Sequence, residues 1–564
     1  MTNLFYIHIH NRDYTDYEFF SNDKQLEKPS FQFDPVEHKL FHNDVFSLNE
    51  HNQPCIEVSE TRAKKHIPGV LILQNNKTYG RTENKKRLMY KCIPYDNHLP
   101  EFLVPYDLKM DFSKSIHNKY VLFTFQNWNS RHPQGVLCES LGDVHDTVAL
   151  SEYELYGNHL QHSLKEMNNY VKRKLKPQDE MIEDISHRMN YKLQYKTDQY
   201  VFSIDPSGSA DFDDAFAIQT IDSRTKITVH IANVALWCEY LELWNYFTDI
   251  VSTMYLPHCK KTMLSPVLSD QVCSLQQKQK NVTMYVEFPI LDDGKIDYDN
   301  VHFGNSLVKV CKNFVYEESK LVNNQNYQQL FHVSKQLDDT IIDSHDVVSF
   351  WMVQVNTYLA KKLTEYDIGL LRSSSLKYTQ RLDMGFSREI SDALFHYKNA
   401  SSNYVSTKFG DSQHVIMGKD VYTHITSPIR RKVDLVNQLL LLYRCQYITG
   451  ISTASQQFMI NCMNNIDKIN EQTKTIKYIQ NKLQLIHLCG NTISVSDEIF
   501  EGIVVDKKSD NGVVYHYTIF IHKLNVFLPA NLDKELKEYE SCNVRVFLFN
   551  DENNIRNKVK IQIM

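Results

Sequence analysis

The chain has 564 residues, 42% hydrophobic and 23% charged, too long for one core and in the range of about three to four soluble domains. Its net charge of −6 excludes a globally basic nucleic-acid binder and confines any such site to a local channel. No apolar run reaches the ~18 residues of a membrane span. The eleven cysteines include no CxxC pair, and the N-terminus lacks a secretory pattern, so neither a zinc ribbon nor secretion is expected. Free thiols in a reducing compartment, cytoplasmic or nuclear, fit better.

The first ~155 residues read as short strands separated by turns: LFYIHIH, HKLFHNDVFSL, GVLILQ, RLMYKCI, EFLVPYDL and KYVLFTFQNW. Strands without helices predict two small barrels. Around the second cluster Lys64, Lys65, Arg81, Lys85, Lys86 and Arg87, with Tyr79, Tyr90 and Trp128 interleaved. Cations for phosphate and rings for bases make a strand-binding face, although a solvated basic loop gives the same pattern.

From about 150 the period becomes helical, in SEYELYGNHLQHSLKEMNNYVKRKL, and a mixed region runs to ~490. VVSFWMVQVNTYLAKKLTEY predicts a mostly buried helix. SPIRRKVDLVNQLLLLYRCQYI predicts another, opening near Pro428. The last ~70 residues return to strands. The predicted fold class is multidomain α+β, ordered barrel, barrel, α/β body, barrel, with divisions at 1–60, 61–155, 156–490 and 491–564.

Two constellations carry chemistry. FSIDPSGSADFDDAFAI drives Asp205, Asp211, Asp213 and Asp214 between two apolar, β-prone segments. Unpaired, such carboxylates cost several kcal/mol to bury. Hard oxygen ligands in a tight arc suit Mg²⁺, with Mn²⁺ as an alternative. Two ions ~3.5–4 Å apart could clamp an in-line phosphodiester cleavage. An EF-hand is excluded by its missing Gly and Glu, and a solvated turn sits badly between apolar strands. The second constellation is YTHITSPIRRKVD. Here Ser427 can cap a helix that Arg430 and Arg431 open, against the macrodipole, unless a phosphate lies near. A surface salt bridge to Asp434 is the plainer alternative.

These segments, with VHIANVALW, MYLP and SPVLSDQVCSL, resemble the signature motifs of the RNB exoribonucleases, in the family's order across about 200 to 440. LFHNDVFSL and FQNWNSRHPQGVLCESLGDV resemble the two cold-shock-type OB domains of its eukaryotic branch, and the strands from FEGIVV onward its terminal OB domain. The resemblance therefore implies two cold-shock-like OB barrels, a central α/β RNB catalytic domain and a C-terminal OB-type RNA-binding barrel. The endonuclease-like N-terminal domain of the exosome subunit has no counterpart in this sequence. The implied activity is processive 3′-to-5′ hydrolysis of single-stranded RNA, engaged at its 3′ end, to nucleoside 5′-monophosphates with Mg²⁺. Carried onto matching positions, Asp205, Asp211, Asp213 and Asp214 would be catalytic and hold metal, with Asp213 the most sensitive to substitution. Arg430 would hold the scissile phosphate beside Arg431. Tyr255 and Tyr316 would stack on bases. The chain is expected to act as a monomer without a membrane. An exosome-type complex is a family partner that no motif here supports.

Several positions depart from the family pattern. Asn233 stands where HIAD has Asp, Lys280-Asn281 replaces Asp-Arg, Lys432 replaces Tyr, Gln438-Leu439 replaces His-Arg, and Ser349-Phe350 occupies a helix start that is usually acidic. Weaker support around the site, and so a reduced rate or altered product length, is the expectation. An RNA-binding scaffold that kept the fold and lost effective catalysis is the alternative.

Overall fold

Alternation of apolar and polar residues organises the N-terminal strands. The computed structural model describes residues 4–21, 31, 33–82, 86–108, 116–188, 191–221, 224–375, 385–399, 402–408, 413–491, 498–509, 515–533, 535–551 and 556–564. Phe5–Ile9 (β1), Tyr17–Ser21 (β2), Val45–Leu48 (β3) and Pro54–Val58 (β4) form an antiparallel sheet in the order β2-β1-β3-β4. Ile7 and Ile9 point inward and are fully buried, as period-2 alternation requires.

Ile67–Leu71 (β5), Leu88–Pro94 (β6), Phe102–Tyr106 (β7), Lys119–Asn127 (β8) and Gln134–Asp143 (β9) close a barrel in the order β5-β6-β7-β9-β8. That is the five-stranded Greek-key arrangement of an OB fold. Closure needs glycine against the Phe123 ring, because a Cβ added at Gly69 or Gly135 would stand 2.9 or 2.6 Å from it. The β1–β4 sheet and this barrel share one continuous core, running from Ile7 and Phe46 to Phe102 and Trp128. Tyr90 and Trp128, expected as base-stacking rings, belong to that core, at 0% and 6% exposure. Lys85 lies outside the described residues.

A buried ion pair sits within the shared core. Asp44 is fully buried, and its Oδ2 accepts from the Phe41 N–H and from Arg62 Nη1 at 2.6 Å. Arg62 Nη2 donates to the Lys39 carbonyl, and the guanidinium lies over Phe41 and Phe125.

The predicted helix across 151–175 is broken. Helices Thr147–Gly157 and Lys165–Lys174 flank a turn in which His159 takes φ 55°. The central sheet follows, from Leu193–Tyr195 (β10), Val201–Asp205 (β11), Asp214–Ile221 (β12) and Arg224–Ala232 (β13). A short hairpin, Met254–Leu256 (β14) and Cys259–Lys261 (β15), precedes Lys280–Ile290 (β16) and His302–Val315 (β17). The sheet order is β10-β17-β11-β12-β13-β16, and a further β17–β16 pairing returns the ladder on itself. The long β17 allows this: its first half pairs antiparallel with β16 and its second half parallel with β11. Helices Ser344–Glu365, Lys432–Arg444, Thr453–Asn464 and Ile466–Asn491 follow, with a hairpin of Leu370–Ser374 (β18) and Ser402–Ser406 (β19) among them.

At the C-terminus, Ile499–Ser509 (β20), Tyr515–Ile521 (β21), Val526–Leu532 (β22), Ser541–Asp551 (β23) and Arg556–Ile563 (β24) form a five-stranded antiparallel sheet. Its order is β22-β21-β20-β23-β24, around a core that includes Val504, Ile519 and Val544. The structure is thus mixed α/β, with OB-type β modules and an α/β body. It divides into two compact units. One comprises Met1–Gln161, Leu256–His258 and Tyr478–Met564; the other comprises His162–Tyr255 and Cys259–Lys477. Among the described residues no helix is long and apolar enough to cross a membrane.

Removing one partner of a buried ion pair strands the other charge. Arg62→Met is expected to cost about 3 kcal/mol in chemical denaturation. A loss within ~0.5 kcal/mol, the range of ordinary surface substitutions, would show that Asp44 is satisfied without it.

Candidate active site

The aspartate motif folds as two strand ends and the loop between them. β11 ends at Asp205 and β12 begins at Asp214. Burial of VFSI and AFAI against the core carries both carboxylates inward with their strands. Gly208 supplies the turn at φ 82°, a conformation costly for a residue with a Cβ. The rest of the loop is tied to the segment after β15. Ser274 Oγ donates to the Ala210 carbonyl and accepts from the Phe212 N–H, and the Leu275 N–H donates to the Phe212 carbonyl.

The four aspartates meet three different environments. Asp213 is 3% exposed. Its Oδ1 accepts from the Ile429 N–H and its Oδ2 from Arg430 Nε, both at 2.9 Å. Burial pushes it up to about 6, with the Arg430 guanidinium and these hydrogen bonds pulling down. Asp211 is also fully engaged: Oδ2 accepts from the Tyr255 hydroxyl at 3.1 Å and Oδ1 from Lys260 Nζ at 3.0 Å. Lys260 bridges onward to Asp270 at 3.1 Å. Asp205 and Asp214 differ. Each has a buried Oδ2 with no hydrogen-bond partner among the described residues. Burial drives both carboxyls upward; the charges of Asp213 and Asp211 add to the rise at Asp205, and those of Asp205 and Asp213 to the rise at Asp214.

Arg430 and Arg431 lie ahead of the helix, not within its first turn. The helix begins at Lys432, and Arg431 is its extended N-cap residue. Asp213 pairs with Arg430, and Asp434 in the first turn of the helix pairs with Arg431, so carboxylates offset the unfavourable placement of both guanidinia beside the positive helix end. Arg430 Nε is held by Asp213, and its Nη2 donates to Ser427 Oγ at 3.0 Å. Arg431 Nη2 donates to Asp434 Oδ1 at 2.8 Å, and the Ser427 N–H donates to the same oxygen. Asp434 is fully buried, so the pair is internal and not the surface bridge the spacing suggested. Tyr255 keeps 45% of its surface exposed. Tyr316 is half-buried and stacks flat on His345, with centroids 3.7 Å apart and planes 8° apart. Burial, then the charges of Asp214 and Asp205, raise its phenol.

Sequence reasoning missed Lys260 and His345 in these roles, and it placed the Asp434 ion pair on the surface where the structure buries Asp434. Only Asp434 carried a local signal, as a carboxylate three residues after Arg431. The departures from the family pattern go into local structure. Asn233 Oδ1 accepts the Leu236 N–H and caps helix Val234–Tyr240. Gln438 accepts from the Ala235 N–H and donates to the Ala232 carbonyl. Asn281 donates to the carbonyls of Gln276 and Gln279. Ser349 is exposed and sits within a helix that begins at Ser344, capped by Asp343.

Mg²⁺ is commonly held by one or two carboxylates, with waters and substrate phosphate completing its shell. The paired, unpartnered oxygens of Asp205 and Asp214 fit that need. Among the described residues no group of three or more His, Cys, Asp or Glu side chains is arranged to hold a metal ion. A cage built from all four aspartates would need Asp211 and Asp213 to give up their present partners.

Because the native Asp214 carboxyl titrates well above 3.8, the folded protein holds that proton while the unfolded chain releases it. Stability contributed by the protonated group is full below 3.8 and is lost as pH rises toward the raised folded value. Asp214→Asn, which mimics the neutral acid, is expected to raise the metal-free melting temperature by roughly 2–4 °C near neutral pH. The gap to wild type should shrink as pH falls toward 4. Differential scanning calorimetry in EDTA checks both the sign and the trend.

The RNB domain family matches residues 194–341, and the Dis3-like cold-shock domain 2 family matches residues 89–153. DIS3-like exonuclease 2 of Xenopus tropicalis is 24% identical over 536 residues, covering 91% of this chain and 59% of that protein. DIS3-like exonuclease 2 of Schizosaccharomyces pombe is 28% identical over 42% of this chain and 26% of its own length. The chain thus spans less than two thirds of these curated relatives. In fold, the apo form of Mycoplasma genitalium RNase R matches with a TM-score of 0.66 at 16% identity, covering 99% of this chain and all of that one. Yeast Ssd1, described as a pseudonuclease, matches with a TM-score of 0.57 at 14% identity over 96% of this chain and 81% of its own. The chain carries the RNB domain and the Dis3-like cold-shock domain, and along nearly its whole length it resembles the RNB-family exoribonucleases.

Proposed function

We propose that the protein is a metal-dependent 3′-to-5′ exoribonuclease that hydrolyses single-stranded RNA processively to nucleoside 5′-monophosphates. One observation carries the reading: two buried carboxyls with unpartnered oxygens, Asp205 and Asp214, lie in one cluster with an arginine fixed by a third carboxylate. Asp205 and Asp214 would hold Mg²⁺, or Mn²⁺ in its place. When bound, the ion supplies the neutralising charge and the Lewis acidity that phosphodiester cleavage needs. Asp213 acts by fixing Arg430, whose Nε and Nη2 are engaged while Nη1 has no hydrogen-bond partner among the described residues. That edge binds the scissile phosphate. Asp211 and Lys260 set the position of the Tyr255 hydroxyl. The exposed Tyr255 ring gives a base-stacking face that accepts any base, at ~1–3 kcal/mol per base. Tyr316 offers only the ring face that His345 leaves open. Arg431, committed to Asp434, serves the RNA path indirectly by shaping the 427–434 turn. The substrate is the 3′ end of a single strand, and the protein acts as a monomer. The structure of Mycoplasma genitalium RNase R with ribose-methylated single-stranded RNA supports this choice of substrate.

A second reading, an RNA-binding scaffold without effective cleavage, is favoured by the fold's likeness to Ssd1 and by the altered positions at 233, 281 and 438.

With 5′-labelled single-stranded RNA and Mg²⁺, wild type is expected to leave a short 5′ oligonucleotide with few intermediates. Asp213→Asn and Asp205→Asn should each lose roughly 10²–10³-fold in rate, and EDTA should stop cleavage. RNA retarded on a native gel yet left intact by wild type would establish the scaffold reading instead. Binding should weaken as salt rises, because phosphate contacts release counterions. An affinity unchanged by salt would argue against a backbone-reading channel.

A further inference from the structure

A cavity outside the aspartate cluster lies beside Lys432. It encloses about 320 Å³, at the small end of ligand-binding cavities. One wall is aromatic. Trp244, Phe247 and Phe458 pack with centroids 4.8 to 5.7 Å apart, and Trp244 Nε1 is anchored on Glu239 Oε2 at 2.7 Å. The rim carries amides: Gln457 and Asn461, both exposed, bond each other at 2.8 Å.

The floor carries an unbalanced charge. Lys432 is 7% exposed, and its Nζ donates to the Thr248 carbonyl at 2.7 Å. An ammonium has three protons to donate, and among the described residues that carbonyl is its one hydrogen-bond acceptor. Asp249, the nearest acid in sequence to that carbonyl, is bound instead by Lys468 at 2.9 Å. The Thr248 hydroxyl is buried without a partner. Cys462, which also lines the cavity, is held neutral by burial. Burial likewise pulls the Lys432 ammonium below the ordinary lysine range. The Asp249 charge at the same cavity offsets the Lys432 ammonium only in part; a buried cation so weakly compensated is costly, and an anion entering the cavity would relieve it.

We infer that this cavity is a binding site for a single nucleoside monophosphate, separate from the aspartate cluster, with the phosphate on Lys432 and Thr248 and the base between the aromatic wall and the Gln457–Asn461 amides. Ring faces accept a base by stacking, and amides offer both donors and acceptors to its edge. A free nucleotide and a single nucleotide of a bound strand share this chemistry. The inference stands on the cavity and does not require the nuclease reading.

The test is calorimetric titration of the full chain with adenosine 5′-monophosphate in EDTA. Saturable binding is expected. It should persist in Asp214→Asn and weaken at least about tenfold in both Lys432→Met and Gln457→Glu. Adenosine alone and inorganic phosphate alone should each bind more weakly. The exposed Gln457 site guards against misfolding, and Lys432→Met, which removes a buried charge, should not lower the melting temperature. Displacement of AMP by a 2′-O-methyl oligonucleotide would identify the source as a bound strand, and failure to displace would identify it as a free nucleotide. The proposal is overturned if AMP does not saturate, if binding is lost in Asp214→Asn but kept in the two cavity variants, or if phosphate binds as tightly as AMP.

Discussion

The cost of burying Asp205, Asp213 and Asp214 together is the constraint around which the central unit is arranged. Three acids at adjoining strand ends cannot all stay ionised without compensation. The chain compensates one of them internally. Asp213 takes an amide proton from Ile429 and a guanidinium from Arg430, joining the β11–β12 loop to a turn more than two hundred residues later in the sequence. Asp211 is compensated by Lys260 and Tyr255. Asp205 and Asp214 are left with unmet oxygens. A protein selected for stability alone would have replaced them with neutral side chains, so their retention is the physical argument for a bound cation.

The same constraint explains why the 427–434 turn is so heavily bonded. Asp213 can fix Arg430 only if the Ile429 amide and the Arg430 side chain arrive in one orientation. Asp434 sets that orientation from beneath, accepting from both the Ser427 N–H and Arg431. Asn437 adds bonds to the Leu370 carbonyl, the Thr423 hydroxyl and the His424 carbonyl. The turn is further stitched to the chain before β14: the Thr253 N–H donates to the Arg430 carbonyl and the Lys432 N–H to the Val251 carbonyl. Arginine geometry at the site is thereby set by buried polar bonds and depends little on loop packing.

What the sequence made legible follows from range. Strand alternation, the barrel-like runs and the carboxylate cluster are local signals, and each appears in the structure close to where its residues suggested. Their failures share one cause, which is that long-range partners decided the outcome. Pro428 looked like the start of a helix, but the helix begins at Lys432, and the distant Asp213 holds Arg430 ahead of it. Tyr90 and Trp128 looked like stacking rings beside basic residues, but the barrel needed them as core. Lys260 and His345 gave no sign because their partners lie far away in sequence. Neither the motif aspartates nor Tyr316 could announce them.

The altered positions show how a polar site can change character without losing its fold. Asn233, Asn281 and Gln438 are buried, and each uses its amide on backbone groups, although Asn281 only donates and its Oδ1 has no partner among the described residues. An amide both donates and accepts, so Gln438 closes Ala235 and Ala232 together, which neither a carboxylate nor an ammonium could do alone. Lys432 is the exception. Its three donors meet one carbonyl, that of Thr248, on a buried floor, so its charge is met less fully than the amides are. Substitution has therefore removed charge where the backbone can use amides and introduced it where the cavity leaves it unmet.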